Sequence, residues 1–206
     1  MAALSSSLRP ILLAFASALA LASVPSSAQT PASYSIESVK AAFLYRFLEY
    51  VEWPESARTD GPLTIAVLDD EALSTELHRN VRGRTAQGRE VRVRTVSSVQ
   101  EGLEAQVLFV SSGSRKKLAP VANSNAHDPV LIVTEGDGAL ERGSVINFVV
   151  VDGNVRFEIS LPAAEQRGLK LSSRLLNVAL RVEKSGHRFD TPDEDDTYWA
   201  MGEHTE

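Results

Sequence analysis

The clearest periodic stretch runs from Ser35 to Pro54, Ser-Ile-Glu-Ser-Val-Lys-Ala-Ala-Phe-Leu-Tyr-Arg-Phe-Leu-Glu-Tyr-Val-Glu-Trp-Pro. Its apolar spacing predicts one amphipathic helix of about four turns. Ser35 is the expected N-cap, and Glu37 sits in the first turn, where a negative charge suits the helix dipole. Pro54 disfavours helical geometry at Trp53 and ends the element. Ile36, Val39, Phe43, Phe47 and Tyr50 share the stripe expected to face the core, widened by Leu44 and Val51. Tyr45 points away with Ala41, Glu49 and Glu52, and Leu48 lies between the faces.

The pattern then changes period. Leu63 to Leu68 is nearly continuous apolar sequence, as in a strand buried on both faces. A helix with inner residues Leu73, Leu77 and Val81 follows, capped by Asp69 or Asp70 and stopped at Gly83. Glu90 to Val96 alternates Val91, Val93 and Thr95 with Arg92 and Arg94, which predicts a one-sided strand near a sheet edge. Ser97 or Ser98 caps a short helix through Leu103. Gln106–Val110 and Pro129–Thr134 are further apolar strands, with a helix interrupted near Pro120 expected over Ser114–Asn123. This β-α-β-α-β-α-β order predicts an α/β fold: a mainly parallel sheet flanked by helices. Ser144–Val151 and Asn154–Ser160, joined through Asp152-Gly153, predict a C-terminal β-hairpin. A helical turn over Leu161–Gly168 follows, with Pro162 acceptable at a first helical position. The last helix, capped by Ser172 or Ser173, carries Leu175, Val178, Ala179 and Val182, with Leu176 and Leu180 off that stripe and Arg174 and Arg181 on its flank.

The ends add two segments. An apolar run from Ile11 to Val24 follows Arg9-Pro10 and precedes Ser26-Ser27-Ala28, the three-part pattern of a secretory signal peptide. Residues 1–28 are read as that segment, cleaved after Ala28, and 29–184 as a single domain. Export fits oddly with a chain that has no Cys, so its stability must come from packing, and thiol chemistry is excluded. Charge is uneven. From His187 to Glu206 the chain holds Asp190, Asp193, Glu194, Asp195, Asp196, Glu203 and Glu206 against Arg188. Residues 185–206 are therefore read as an acidic, disordered tail, and the body as nearly neutral. Nothing points to nucleic acid.

Candidate chemistry is sparse. Asp69-Asp70 invites comparison with phosphoacceptor receiver domains, but the third strand ends Ser111-Ser112 where an Asp is needed, and helix capping accounts for the pair. Ser112-Gly113-Ser114-Arg115-Lys116 lies at a strand-to-helix turn, without the spacing of a Walker loop. No Gly-x-Ser-x-Gly elbow occurs. His78, His127, His187 and His204 show no ligand spacing, so neither a metal nor a cofactor is expected. Arg82, Arg84, Arg89, Arg92 and Arg94 crowd around Glu90. They read first as edge-strand protection and second as a patch for an anionic ligand or partner. No enzyme is expected.

Four ordered blocks resemble the YfiR-like family. They are Val39 to Pro54, Gln106-Val-Leu-Phe-Val-Ser-Ser112, Gly143-Ser-Val-Ile-Asn-Phe-Val149 leading into Val155-Arg-Phe-Glu-Ile-Ser160, and Gly168-Leu-Lys-Leu-Ser-Ser-Arg-Leu-Leu176. The resemblance spans about Ile36 to Val182. It implies a periplasmic, non-catalytic α/β regulator that binds the periplasmic part of an inner-membrane diguanylate cyclase and holds it inactive. Loss of such a repressor raises cyclic di-GMP and promotes biofilm. Cysteine pairs occur in the family, and their absence here removes any redox-gated version.

Two functions follow as expectations. A repressor acting by contact needs an exposed apolar patch, for which Tyr45, Leu48, Glu49 and Trp53 on the first helix and Leu176 and Leu180 on the last are the candidates. A small-molecule-sensing module serving another membrane sensor, such as a histidine kinase, would bind at the carboxyl ends of the parallel strands. Its candidate ligand-binding residues are Arg174, Arg156, Glu158 and Asn147. A homodimer is left open.

Overall fold

The computed structural model describes residues 34–57, 60–114, 116–117 and 128–184. The signal segment expected over 1–28, the acidic segment 185–206 and most of the helix expected over Ser114–Asn123 lie outside the described residues. Helix α1 (Ile36–Tyr50) starts as its sequence predicts, with the Ser35 hydroxyl accepting the Ser38 N–H at 3.1 Å. At its other end Val51 turns extended into β1 (Val51–Glu52), which pairs antiparallel with β9 (Lys170–Leu171).

The sheet is built from the expected strands plus short ones at its rim. They are β2 (Leu63–Leu68), β3 (Thr85–Ala86), β4 (Arg89–Val96), β5 (Val107–Val110), β6 (Leu131–Glu135), β7 (Ile146–Val151), β8 (Asn154–Ser160) and β10 (Arg181–Glu183), in the spatial order β10-β8-β7-β6-β5-β2-β4-β3. Strands β4, β2, β5, β6 and β7 are mutually parallel. Taken in chain order they run 2-1-3-4-5, the doubly wound order in which helices must cover both faces. Helix α2 (Glu71–Val81) carries the chain from β2 to β4, and α3 (Val99–Gly102) from β4 to β5. The Asp152-Gly153 signal makes the β7–β8 hairpin, with φ of 50° and 75° at its two turn residues, the left-handed pair that a tight two-residue turn requires.

Alternation along the strands splits the interior in two. Ile65, Val67, Val107, Phe109, Leu131 and Val133 face one cluster, and Ala66, Leu68, Leu108, Val110 and Ile132 face the other. That explains the unbroken apolar runs, since a parallel strand buried on both faces has no solvent position to fill with polar residues. The smaller cluster is closed by Val99 and Leu103 of α3 and its following turn. Here Gly102 lets α3 approach closely, because a Cβ would lie 2.4 Å from Leu108 Cδ1 and force that side chain to shift.

The larger cluster holds α1, and here the structure departs from the periodicity. Its buried residues are Lys40, Ala41, Leu44, Tyr45, Phe47 and Leu48, an arc of roughly 160° at about 100° per residue. The expected stripe lies at one margin of that arc. Phe47 is fully buried; Phe43, Val39 and Tyr50 are half-buried, and Ile36 is 39% exposed. The cause is tertiary. One flank of α1 packs its Phe43 and Phe47 rings on Phe148 and Phe157 of the sheet, with centroids 5.3–6.1 Å apart. The opposite flank meets α2 and the β3–β4 turn. There the Tyr45 hydroxyl donates to Thr85 O at 2.7 Å, and Gln87 Nε2 donates to Leu48 O at 2.7 Å and Val51 O at 2.9 Å. Gln87 thus satisfies carbonyls that the helix end leaves open. The Arg84 guanidinium lies over the Tyr45 ring, 3.8 Å from its centroid. A helix pressed from two sides has no single apolar stripe to read.

The C-terminal region also differs. Helix α4 (Leu161–Gln166) has Pro162 in its first turn and Ser160 as its cap, and α5 (Ser173–Val178) is capped by Ser172. The expected continuation of α5 to Val182 does not form. Ala179 is extended, Leu180 N–H donates to Phe157 O at 2.8 Å, and Arg181–Glu183 pairs parallel with β8 as β10. The open backbone of β8 offers hydrogen bonds that a third helical turn would leave unmade.

Two stability outcomes follow. Phe47→Ala should cost about 3–5 kcal/mol in denaturant unfolding, whereas Ile36→Ala should stay within about 0.5 kcal/mol. Tyr45→Phe should lose about 1 kcal/mol through the Thr85 bond, and Tyr45→Ala several times that. A Tyr45→Ala protein melting with the wild type would contradict the packing described.

Candidate functional site

In a doubly wound sheet the carboxyl ends of the strands, where the order reverses between β2 and β5, form the natural crevice. Asp69 follows β2 with φ 55°, and Ser112–Ser114 make a 3-10 turn after β5. The two adjacent aspartates divide their work. Asp70 caps α2, accepting Leu73 N–H at 2.9 Å, while Asp69 Oδ2 accepts from Ser114 Oγ and Lys117 Nζ, each at 2.5 Å. The hydrogen bonds from Lys117 and then from Ser114 hold the Asp69 carboxyl below the usual carboxylate range. Stabilisation from a depressed carboxylate is present at neutral pH and fades as pH falls through its folded-state pKa. At an exposed site solvent keeps it small.

Beside this pair, Glu135 at the end of β6 forms an ion pair with Lys40 of α1 and accepts the Ser112 N–H at 3.2 Å. Lys40 is 8% exposed, so removing Glu135 would leave a buried cation without its partner. The crevice therefore holds two lysine–carboxylate pairs that satisfy each other and tie α1 to the ends of β2, β5 and β6. Ser114 Oγ touches a carboxylate here, yet the Lys117 hydrogen bond lowers the basicity of Asp69, the opposite of what a general base needs. His78, on the helix, is engaged through Nδ1 with Ser74 O at 2.8 Å. Among the described residues no group of three or more His, Cys, Asp or Glu is placed to hold a metal ion.

Of the four expected ligand residues, Asn147 and Glu158 are brought together. Thr134, Asn147, Glu158 and Arg181 are register partners across β6, β7, β8 and β10, and so make a row on one face. Thr134 Oγ1 donates to Ser144 Oγ at 2.8 Å and lies 3.2 Å from Asn147 Oδ1; Asn147 Nδ2 lies 3.5 Å from Glu158 Oε2, and Arg181 Nε donates to Glu158 Oε1 at 3.0 Å. Asn147 is buried and Glu158 half-buried, both engaged in this row. Arg156 is exposed two residues before Glu158, opposite Val149, and Arg174 is exposed on α5. The row joins strands. Arg181 was legible only as a helix flank, because nothing local in Arg-Val-Glu announces a strand that forms by pairing at a distance.

The expected contact surface needs a larger correction. Tyr45 is 6% exposed, Leu48 0% and Trp53 7%, so the apolar part of the α1 patch belongs to the core. Only Glu49 of that group is exposed, and Leu176 is half-buried against the core. Leu180 is 47% exposed, and three further apolar residues that the sequence did not single out are exposed too: Val178 at 61%, Val150 at 54% and Val151 at 38%. Val150 and Val151 end β7, while Val178 and Leu180 flank the approach to β10, which pairs with β8 beside β7. The run Val149-Val150-Val151 marks β-structure on both faces of the strand. Which face stays open is decided by what packs there.

No curated protein matches the chain in sequence. Among solved structures, a conserved domain protein from Vibrio cholerae O1 biovar El Tor aligns at 13% identity and a TM-score of 0.48, covering 72% of this chain and 60% of its own length. An ABC domain in complex with L-Trp from Streptococcus pneumonia aligns at 14% identity and a TM-score of 0.42, covering 58% of this chain and 55% of its own length. Likenesses at that level carry no functional weight. The YfiR/HmsC-like family model, by contrast, matches residues 37–180, most of the chain and nearly all of the described body. The chain belongs to the YfiR/HmsC-like family, whose members are periplasmic regulatory proteins of the diguanylate cyclase system.

Proposed function

We propose that this protein is a non-enzymatic repressor that binds the periplasmic part of an inner-membrane diguanylate cyclase through the surface formed by Val150, Val151, Val178 and Leu180. Export behind a signal peptide cleaved after Ala28, and control of biofilm through cyclic di-GMP, belong to the same reading. The observation that carries it is the exposure of four large apolar side chains along the end of β7 and the approach to β10. Four of the six large apolar residues exposed among the described ones lie there, and the other two, Tyr34 and Ile36, open α1. Large apolar residues left in water next to an edge strand suit a surface that another protein desolvates. Regulation then requires tighter binding to the inactive cyclase than to the active one.

The ligand-sensing alternative has less support, because Asn147 and Glu158 are engaged in the strand-joining row. Contact of this kind is tested by complementing a deletion strain and measuring cyclic di-GMP. The wild-type gene should restore low levels, and Leu180→Asp and Val178→Asp should not, at equal exported protein and unchanged melting temperature. Each change is expected to weaken partner binding by about 2 kcal/mol, roughly 30-fold. Full repression by both variants would remove this surface from the interface.

A further inference from the structure

The arginine cluster at the opposite edge is not used by the repressor reading. The structure places part of it around a groove of about 630 Å³ between the C-terminal end of α2 and the start of β4, lined by His78, Arg82, Arg84, Thr85, Glu90 and Arg92 among others. The arginines there are not equivalent. Arg84 is committed, lying over Tyr45 and donating to Asn80 O and Oδ1 at 3.2 and 3.1 Å. Arg92 has only Glu90, two residues away on the same strand, with both side chains more than 60% exposed; such a pair contributes little and exchanges readily. Arg82 makes no hydrogen bond or ion pair among the described residues. Farther from the groove, Arg89 donates to Gly61 O and Arg94 pairs with Glu104. The groove thus presents two guanidinium groups whose donors are open or easily released, beside a strand edge that β3 covers only at Arg89 and Glu90. An open basic trough at a strand edge suits an extended acidic peptide, with guanidinium forks meeting carboxylates.

We propose that this groove binds the chain's own acidic segment, Asp193-Glu194-Asp195-Asp196. Charge is complementary: residues 187–206 carry seven acids against one Arg. Position is also favourable. Strand β8 runs antiparallel to β7, and β10 runs parallel to β8. The chain therefore leaves β10 at the end of the sheet where β2, β4 and β5 begin, the end where α2 finishes and the groove lies. Six strand spacings separate β10 from β4 in the sheet order, about 29 Å at ~4.8 Å each. Nine to twelve residues connect Lys184 to the four acids, a reach of about 31–41 Å. Asp190 falls short of that span, so the cluster that follows it is the one assigned. The segment would neutralise the groove in the resting protein and leave it when a stronger polyanion or high salt competes.

The absence of natural Cys makes the test direct. Nitroxide labels on Thr75→Cys, exposed on α2, and on Thr197→Cys in the otherwise intact chain should show a narrow short-distance population. That population should be lost at high salt and in Arg82→Glu/Arg92→Glu. Because that pair of changes touches the body, the independent variant Asp193→Asn/Glu194→Gln/Asp195→Asn/Asp196→Asn must give the same loss. A long, broad distribution unaffected by salt and by both variants would overturn the assignment. So would a short distance seen only when two singly labelled chains are mixed, which would place a neighbour's segment in the groove.

Discussion

The packing of α1 between the sheet and the β3–β4 turn is the constraint on which most of the structure depends. The aromatic flank, Phe43 and Phe47 against Phe148 and Phe157, ties the first element of the described body to its C-terminal hairpin. The other flank ties it to α2 and β3 through Tyr45, Gln87 and Arg84. Lys40 adds a link to the end of β6 through Glu135. These contacts join residues far apart in the chain, so α1 contributes little until the sheet exists and the sheet is open on that face until α1 docks. Such mutual dependence favours all-or-none folding in a small domain. It also accounts for a cysteine-free chain: the cross-links are aromatic packing and side-chain to backbone bonds.

With α1 consumed by the core, the surfaces left for function lie at the two edges of the sheet. One edge is apolar, at the end of β7 and the approach to β10; the other is basic, along α2 and β4. At the carboxyl-end crevice, where doubly wound sheets usually hold ligands, lysines and carboxylates are paired with one another. A body built this way suits regulation by contact. Its membership of the YfiR/HmsC-like family makes it a periplasmic regulator, and the contact proposed for it uses residues other than those that periodicity favours.

Much of this was legible in the sequence, and the misses share a cause. Strands β2, β5 and β6, the Asp152-Gly153 hairpin, the cap at Ser35, the caps at Asp70, Ser98 and Ser172 each to within one of two adjacent residues, and the mainly parallel sheet all follow from local pattern. Those features depend on a residue and its near neighbours. Tyr45, Leu48 and Trp53 were misread because one-face periodicity assumes one packing partner, and α1 has two. Strand β10 was misread as helix because Arg181–Glu183 becomes a strand only beside β8. Asn147 and Glu158 looked like free polar groups because the register that aligns them with Thr134 and Arg181 is a long-range property. The family resemblance was visible as ordered blocks, but blocks do not say which side of a helix is buried.

The central claim is that the regulatory contact uses the β7 end and β10 edge, with α1 serving as core. Hydrogen–deuterium exchange of the full exported chain, with and without the periplasmic part of its cyclase, tests this directly. The account predicts new protection in segments carrying residues 148–152 and 176–183, and unchanged, already slow exchange across 40–51. Protection confined to the exposed face of α1 or to the β4 edge, with the 176–183 segment unaffected, would contradict it.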